Sequence, residues 1–218
     1  MFGFNDGSFQ PGRYLTRAQA VTILVRAHLL DFEQGRGTLP PGMDSFDAFT
    51  DVNERHWFYS YVAWAYDAGL VQGAGGRFRP GDPITRQEFA IIVVRAGLQP
   101  LYTEMPVFND ADAISRWAMA YINAAYQANL MTGDHEGNFR PRDYITRAEA
   151  ATVMNRFMGR IDSQVALDAA EVENIDAARL FTDVETTAWY FPSVLFASNY
   201  HFMSRDEDYN IVWIRFEE

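Results

Sequence analysis

The fold is decided by the stretch Phe139-Arg140-Pro141-Arg142-Asp143-Tyr144-Ile145-Thr146-Arg147-Ala148-Glu149-Ala150. Its frame is Phe-x-Pro, three residues, an aliphatic residue, and then Thr-Arg-x-Glu or Gln. The same frame begins at Phe9 and at Phe78, and the Thr follows the Phe by seven residues in every copy. We call residues 9–20, 78–89 and 139–150 the first, second and third motif. Three copies in phase indicate a repeat protein.

Each motif predicts the start of an α-helix. Thr is a favourable N-cap, and a Glu or Gln three residues later completes a capping box. The Pro keeps the entering chain out of helical conformation, and aliphatic residues follow the Thr at helical spacing. We therefore expect helices over Thr16–His28, Thr85–Ala96 and Thr146–Met158.

An arginine occupies the first helical position of every motif, at Arg17, Arg86 and Arg147. A cation near the positive end of the helix dipole costs about 0.3–1 kcal/mol, so its recurrence suggests a use. Beside free backbone N–H groups, such an arginine makes an anion-binding site. Alternatively, it pairs with a carboxylate of the same chain and holds repeats together. The residues alone leave both interpretations open.

A second recurring segment precedes the second and third motifs. It starts with Phe-x-Asp at Phe49 and Phe108, continues through Trp57 or Trp117, and ends in a Gly-containing loop. Apolar residues at helical spacing predict a helix that starts near each Trp. We expect these helices to end twelve residues after the Trp, at Gly69, Asn129 and His201, which tolerate left-handed backbone conformation. Each unit therefore reads as helix, loop, helix, which predicts an all-α fold.

Two incomplete copies remain, and they complement each other. A front segment at Phe181 to Met203 has no motif after it, and the first motif has no front segment before it. Contact between the two halves would complete a third repeat; the alternative is a chain cut mid-repeat from a longer array. We expect a single module over residues 1–218, composed of a half-repeat at 1–30, repeats at 49–96 and 108–158, a half-repeat at 181–203 and a tail at 204–218.

Three segments fall outside the repeats. Residues 31–48 are rich in Gly and Pro and are expected to form a loop. Residues 161–180 are Ala-rich and predict an extra helix. The tail reads as one short strand over residues 209–216, which we expect to cover the junction of the two halves.

Composition excludes several classes of function. The net charge of −11 argues against non-specific binding to nucleic acid or to anionic lipid. No apolar run is long enough to insert into a membrane. The chain has no Cys and four His without metal-ligand spacing, so we expect no metal, no cofactor and no enzymatic activity. The N-terminal residues lack the features of a signal peptide, so we expect either an intracellular protein or a piece of a longer exported chain.

The combination of Phe-x-Asp-Val, Trp, Gly-Leu, Phe-x-Pro and Ile-Thr-Arg-x-Glu resembles the S-layer homology domain. Thr146-Arg147-Ala148-Glu149 meets its most specific motif in full. The resemblance implies three repeats with pseudo-threefold symmetry at the cell surface, anchored non-covalently to a secondary cell-wall polysaccharide that often bears pyruvate ketals. It also implies grooves between repeats in which the motif arginine faces the ligand carboxylate. The circular offset of the repeats and the negative net charge depart from that pattern.

By this resemblance, Arg17, Arg86 and Arg147 are the groove arginines. With the tryptophans and loop glycines of the repeats, they form the candidate ligand-binding set: Arg17, Arg86, Arg147, Trp57, Trp117, Trp189, Gly3, Gly73 and Gly133. For the tryptophans, core packing is the expected role, and stacking on a sugar ring is the alternative that would place them in the ligand site. The glycines are expected to permit backbone turns, with a groove lining as the alternative. Asp51, Asp110 and Asp183 are expected to cap the front helices or to pair with an arginine. The competing function is a structural or protein-interaction module, in which the arginines pair with carboxylates such as Glu88 or Asp110. The oligomeric state stays open.

Overall fold

A computed structural model describes residues 1, 3–28, 46–102, 104, 107–160, 164–178, 180–199, 201–205, 207 and 211–216. The chain forms two compact units. One, the terminal unit, consists of Met1–Arg13 and Thr146–Glu218; the other, the middle unit, is Tyr14–Ile145. Most of the predicted loop at 31–48 lies outside the described residues.

The middle unit is helical. Helix α1 (Arg17–His28) packs against α2 (Tyr59–Asp67) and α3 (Arg86–Ala96), and α3 also packs against α4 (Met119–Gln127). A short 3-10 turn spans Ala111–Ala113. Just after the last turn of α2 and of α4 comes a residue in the left-handed region, Gly69 and Asn129, as the sequence predicted.

The described part of the terminal unit contains three α-helices and a small sheet. Helix α5 (Arg147–Phe157) packs against α7 (Phe191–Ser198), and the predicted extra helix is α6 (Gln164–Ala169). A 3-10 turn covers Ile175–Ala177. The strands β1 (Glu171–Glu173), β2 (His201–Arg205) and β3 (Ile211–Phe216) form a sheet of order β1-β3-β2.

The sheet confirms the strand predicted in the tail and changes the end of the last half-repeat. His201 was expected to end a helix in left-handed conformation, but α7 ends at Ser198, and residues 201–205 form β2 instead. The reason is pairing: β2 runs antiparallel to β3, with Met203 opposite Ile214. Phe216 of β3 lies against Phe196 of α7, with ring centroids 5.6 Å apart. The tail therefore packs on α7. The helices confirm the all-α repeat fold.

The predicted helix starts are confirmed in chemical detail. In α3 and α5, the side chain of the N-cap Thr accepts a hydrogen bond from the amide of the third helical residue, which is a Glu. The carboxylate of that Glu accepts a hydrogen bond from the amide of the Thr. The first motif does the same with Gln19, whose Oε1 accepts from the amide of Thr16 at 3.0 Å. Reciprocal bonds of this kind satisfy the donors that a helix start otherwise leaves open.

The aliphatic residues before the three threonines form a closed ring of hydrogen bonds inside the middle unit. The amide of Leu15 donates to the carbonyl of Ile145, Ile145 donates to Ile84, and Ile84 donates to Leu15, at 3.0–3.1 Å. All three side chains are buried. Each motif thus contributes one residue to the ring, which ties the three motifs together inside the middle unit.

Inside the terminal unit, the first residues of the N-terminal half-repeat contact the C-terminal half-repeat. Phe9 packs in one cluster with Phe181, Val194 of α7 and Ala151 of α5, and the backbone nitrogen of Met1 donates to the carbonyl of Ala197. The amide of Thr182 donates to the carbonyl of Gly7 at 3.2 Å. The prediction that these halves meet is confirmed.

The aspartates of the Phe-x-Asp segments were expected to cap helices or pair with arginines, and this is wrong. Each carboxylate accepts from two consecutive amides at the start of a motif, at 2.7–2.8 Å. The second amide of each pair belongs to a residue with φ between 55° and 58°, a turn that aims both N–H groups at one anion. The acceptor and donor sets are Asp51 with Phe78 and Arg79, Asp110 with Phe139 and Arg140, and Asp183 with Phe9 and Gln10. We call this contact the carboxylate clamp.

The loop glycines are needed for close approach rather than for turning alone. A Cβ on Gly73 would overlap the ring of Phe49, and one on Gly3 would overlap the ring of Phe181. Gly133 has the same relation to Phe108, with a Cβ only 2.8 Å from the ring, and it alone of the three has a positive φ, 82°. The expectation of a backbone turn therefore holds for Gly133, whereas Gly3 and Gly73 make room for a phenyl ring.

No helix among the described residues is both long and apolar enough to cross a membrane.

Replacing Gly73 by Ala should destabilise the middle unit by about 1–3 kcal/mol, because the methyl group and the Phe49 ring would occupy the same space. Gly81→Ala is the matched control, since a Cβ there meets nothing within 4 Å. Urea unfolding of both variants measures the difference. Equal stabilities would contradict the close approach, and Phe49→Leu in the Gly73→Ala background should recover part of the loss.

The carboxylate clamp makes a pH prediction. Burial raises the pKa of Asp51, but hydrogen bonds from the amides of Phe78 and Arg79 lower it by more, so this pKa lies below its ordinary value. Such a group stabilises the fold above its unfolded pKa, about 3.9, and this stability is lost as the pH falls through the folded pKa.

Asp51→Asn should therefore cost about 1–3 kcal/mol of unfolding free energy near neutral pH. The gap to the wild type should shrink below about pH 4. Urea titrations across this range measure the gap. A gap that stays constant into acid would show that the carboxylate charge plays no part.

Candidate ligand-binding site

The motif arginines make one shared contact: each donates its Nε–H to the carbonyl of a motif Phe. Arg17 donates to Phe78 at 2.9 Å and Arg86 donates to Phe139 at 2.8 Å, both in the middle unit. In the terminal unit Arg147 donates to Phe9 at 2.7 Å. The donor is always one motif and the acceptor the next, with the third motif donating back to the first.

Each guanidinium also lies over the ring of the same Phe, with its Cζ 4.5–5.3 Å from the ring centroid. This is cation–π distance. Arg86 and Arg147 are buried, at 4% and 6% relative exposure, and the Arg17 side chain is 12% exposed. The geometry thus gives all three arginines a role in joining consecutive motifs.

The helix amides that an anion site at this position requires are not free. The first two amides of α1, those of Arg17 and Ala18, donate to the carbonyls of Asp82 and Pro80 at 2.9 and 3.1 Å. Helices α3 and α5 repeat this arrangement with the carbonyls of Asp143, Pro141, Arg13 and Pro11. The expectation of open N–H groups beside each arginine is therefore wrong, because the next motif supplies carbonyl acceptors.

Arg17 also forms an ion pair inside the middle unit. Its Nη1 lies 3.0 Å from Oε1 of Glu88, the carboxylate that also caps α3. Burial lowers the pKa of Arg17 and Glu88 offsets part of this effect, and the result stays below the ordinary arginine value. Of the two carboxylates expected as partners in the competing interpretation, Glu88 pairs with Arg17, whereas Asp110 serves as a carboxylate clamp.

The three tryptophans lie at the surface, so the expectation that they pack in the core is wrong. Trp57, Trp117 and Trp189 are 61%, 55% and 62% exposed. The following residue takes the inner position instead: Phe58 and Ala118 are buried, and Trp57 lies edge-on to Phe58 at 5.3 Å. Because all three occupy the same place two residues before a front helix, the exposure is a property of the repeat.

Two functional candidates were missed from sequence. Arg55 and Arg116 are exposed and lie within two residues of Trp57 and Trp117. Among the described residues, neither guanidinium forms a hydrogen bond or an ion pair. Their adjacency to a Trp was the available signal. The third Trp has no such neighbour, since Thr187 and Ala188 precede it.

A third residue was missed because only one repeat has it. Phe4 lies under both Arg147 and Arg13, whose Cζ atoms are 5.0 and 5.1 Å from its ring centroid. Burial lowers the pKa of Arg147, and the charge of Arg13 lowers it further. No group of three or more potential metal ligands occurs in the described part of the chain.

Comparison with known proteins identifies the family. The S-layer homology domain model matches residues 1–21, 48–90 and 107–151, which contain the three motifs and two of the three front segments. The chain belongs to the S-layer homology domain family. Its place there accounts for the repeated Thr-Arg frame that opens α1, α3 and α5.

The similar proteins are much longer than this chain. Cell surface glycoprotein 1 of Acetivibrio thermocellus is 29% identical over 88% of this chain and 8% of its own length. The S-layer protein sap of Bacillus anthracis is 29% identical over 80% of the chain and 20% of its own length. A cellulosome-anchoring protein of A. thermocellus is 28% identical over 94% of the chain and 43% of its own length. The chain therefore spans less than half of each of these relatives.

A structural role of the buried arginines predicts a loss of stability. Arg86→Ala should cost at least about 1–3 kcal/mol, because it leaves the buried carbonyl of Phe139 without its donor. Arg142→Ala is the control, since Arg142 is exposed and makes no hydrogen bond within the described residues, and it should stay within about 0.5 kcal/mol of the wild type. Thermal unfolding followed by circular dichroism compares them. Equal stabilities would show that the Arg86 contact contributes nothing to the fold.

Proposed function

We propose that this chain binds a cell-wall polysaccharide non-covalently and so anchors a surface protein to the wall. The observation that carries the proposal is the exposure of Trp57, Trp117 and Trp189 at equivalent positions in three repeats. Large apolar side chains are seldom left exposed in register without a partner. An indole offers a flat apolar face and one N–H donor, which suits the alternating apolar and hydroxyl surface of a sugar ring.

Cations near the tryptophans suit an acidic polymer. Arg55 and Arg116 lie within two residues of Trp57 and Trp117, and among the described residues their charges have no partner. Arginine forms strong paired hydrogen bonds to a carboxylate. A sugar with a pyruvate ketal presents such a carboxylate beside a ring. Because the net charge of the chain is −11, attraction at long range is absent and recognition depends on these local groups.

The motif arginines and the loop glycines have a supporting role in this function. Arg17, Arg86 and Arg147 join the motifs and place a guanidinium at each junction, with Arg17 the most exposed of the three. Gly3, Gly73 and Gly133 seat the phenyl rings that support the loops. Several weak sites on one polymer gain avidity, so no single site needs high affinity.

The relatives support a surface location and a non-catalytic role. They include S-layer proteins and a cellulosome-anchoring protein. Enzymes also share the region: an endoglucanase of a Bacillus strain matches over 16% of its own length. A segment common to structural proteins and to enzymes serves attachment better than any one reaction.

A second function is favoured by one observation. Arg17 is paired with Glu88 at 3.0 Å, as expected for a module that keeps the scaffold and binds protein instead of glycan. In that case the exposed tryptophans would face a protein partner. Binding to purified walls separates the two functions.

The experiment is co-sedimentation with purified cell-wall sacculi, with and without their secondary polymer. Wild type should pellet only with walls that retain the polymer. The triple variant Trp57→Ala/Trp117→Ala/Trp189→Ala should stay in the supernatant while remaining folded, because its side chains are exposed. Leu98→Ala, which alters a residue that is 88% exposed, should bind like the wild type.

Two outcomes would overturn the proposal. A folded wild type that ignores polymer-bearing walls would favour the protein-interaction module. Unchanged binding by the triple tryptophan variant would show that the tryptophans do not bind the polymer, and the motif arginines would then be the remaining candidates.

A further inference from the structure

One loop position is structurally the same in all three repeats but carries three different side chains. The residue after the loop glycine donates its amide to the carbonyl of the residue before the motif Phe. The pairs are Phe4 with Ser8 at 2.8 Å, Ala74 with Arg77 at 2.9 Å, and Asp134 with Asn138 at 2.9 Å. Since this hydrogen bond recurs in every loop, the position is equivalent in all three repeats, although the second loop is one residue shorter than the others. We call this the gate position.

With Phe at the gate position, the neighbouring motif arginine is covered. Arg147 lies over Phe9 at 4.5 Å and over Phe4 at 5.0 Å, and only 6% of its surface is exposed. Arg13 lies over the same Phe4 ring at 5.1 Å. Phe4 therefore takes up the space in which an external anion would meet both arginines.

With Ala at the gate position, the arginine stays accessible. Arg17 lies over Phe78 at 5.1 Å, and no second ring covers it among the described residues. Its Nε and Nη1 are occupied by Phe78 and Glu88, whereas its Nη2 has no hydrogen-bond partner in that part of the chain. The side chain keeps 12% of its surface exposed. The Ala74 methyl group is too short to reach across the guanidinium as the Phe4 ring does.

Asp at the gate position is engaged by its own loop. Asp134 accepts from the amides of Glu136 and Asn138, and its Oδ2 lies 3.2 Å from Nε of Arg140. This carboxylate adds negative charge at the loop before the third motif, which disfavours an anionic ligand there.

We propose that the gate position decides which motif arginine receives the carboxylate of an acidic sugar: Ala74 leaves Arg17 open, and Phe4 closes Arg147. This rests on the proposed function for its ligand, a sugar bearing a carboxylate. The closed site is also a latent one, because removing the Phe4 ring would uncover two adjacent arginines. The chain thus has unequal sites within equal repeats.

The test exchanges the gate residues in the whole chain: Phe4→Ala, Ala74→Phe, and the double exchange. The first readout is the backbone 15N–1H shifts on titration with a monosaccharide that bears a pyruvate ketal, with the same sugar lacking the ketal as control. In the wild type the Arg17 amide should shift and the Arg147 amide should not. Phe4→Ala should add a shift at Arg147, and Ala74→Phe should abolish the shift at Arg17.

The second readout needs no ligand and separates the two proposals. Phenylglyoxal modification, mapped by peptide mass spectrometry, should become several-fold faster at Arg147 in Phe4→Ala and several-fold slower at Arg17 in Ala74→Phe. If these rate changes occur but no ketal-dependent shift is seen, the gate position controls access to the arginines, and the proposed acidic-sugar ligand is overturned. Unchanged rates at both arginines in folded variants, or a ketal-dependent shift at Arg147 in the wild type, would overturn the gate itself.

Discussion

The structure depends on a hydrogen bond between the arginine of one motif and the Phe carbonyl of the next. It looks unfavourable from the viewpoint of a single helix, since a cation stands at the positive end of the helix dipole. The neighbouring motif reverses this balance by presenting a carbonyl and an aromatic face to the guanidinium. The same neighbour supplies carbonyls to the first two helix amides. A helix start that would be electrostatically unfavourable in isolation thus becomes a stabilising contact between repeats.

The motif Phe is where the two halves of each repeat meet. Its amide donates to the carboxylate clamp, its carbonyl accepts from an arginine, and its ring packs against the Phe of the front segment. The ring pairs are Phe49 with Phe78, Phe108 with Phe139, and Phe9 with Phe181, at 5.2–5.5 Å. All three motif rings are fully buried. A glycine in each loop leaves room for the front ring, which explains the spacing of Gly and Phe-x-Asp along the chain.

Hydrogen bonds between residues that are close in sequence could be predicted from the sequence, whereas hydrogen bonds between distant residues could not. Thr85 with Glu88 predicts a capping box because both partners lie within one turn. Asp51 gave no comparable signal, since its partners are amides 27 and 28 residues away and any backbone N–H looks alike in a sequence. The tryptophans were misplaced in the core for a related reason. Apolar spacing describes a face, but only the packed structure shows that Phe58 points inward and Trp57 outward.

The repeats differ where function is expected to differ. Arg17, Arg86 and Arg147 make the same main-chain contact, yet the equivalent loop position before the accepting Phe carries Ala74, Asp134 and Phe4 respectively. Likewise, two tryptophans have an exposed arginine beside them and the third does not. Symmetric contacts therefore hold the scaffold, and the variable positions are where we expect the binding properties of the repeats to differ.

Amide hydrogen exchange of the whole chain, followed by NMR, tests the scaffold most directly. The amides of Leu15, Ile84 and Ile145 and the first helical amides of Arg17 and Arg86 should be among the slowest to exchange, because the interlocked motifs open only when the fold does. The amides of Gly12 and Gly81, which form no hydrogen bond within the described residues, should exchange rapidly. If the amides of Leu15, Ile84 and Ile145 exchanged as fast as those of the two glycines, the hydrogen bonds that join the motifs would not hold the fold together, and its central interaction would be contradicted.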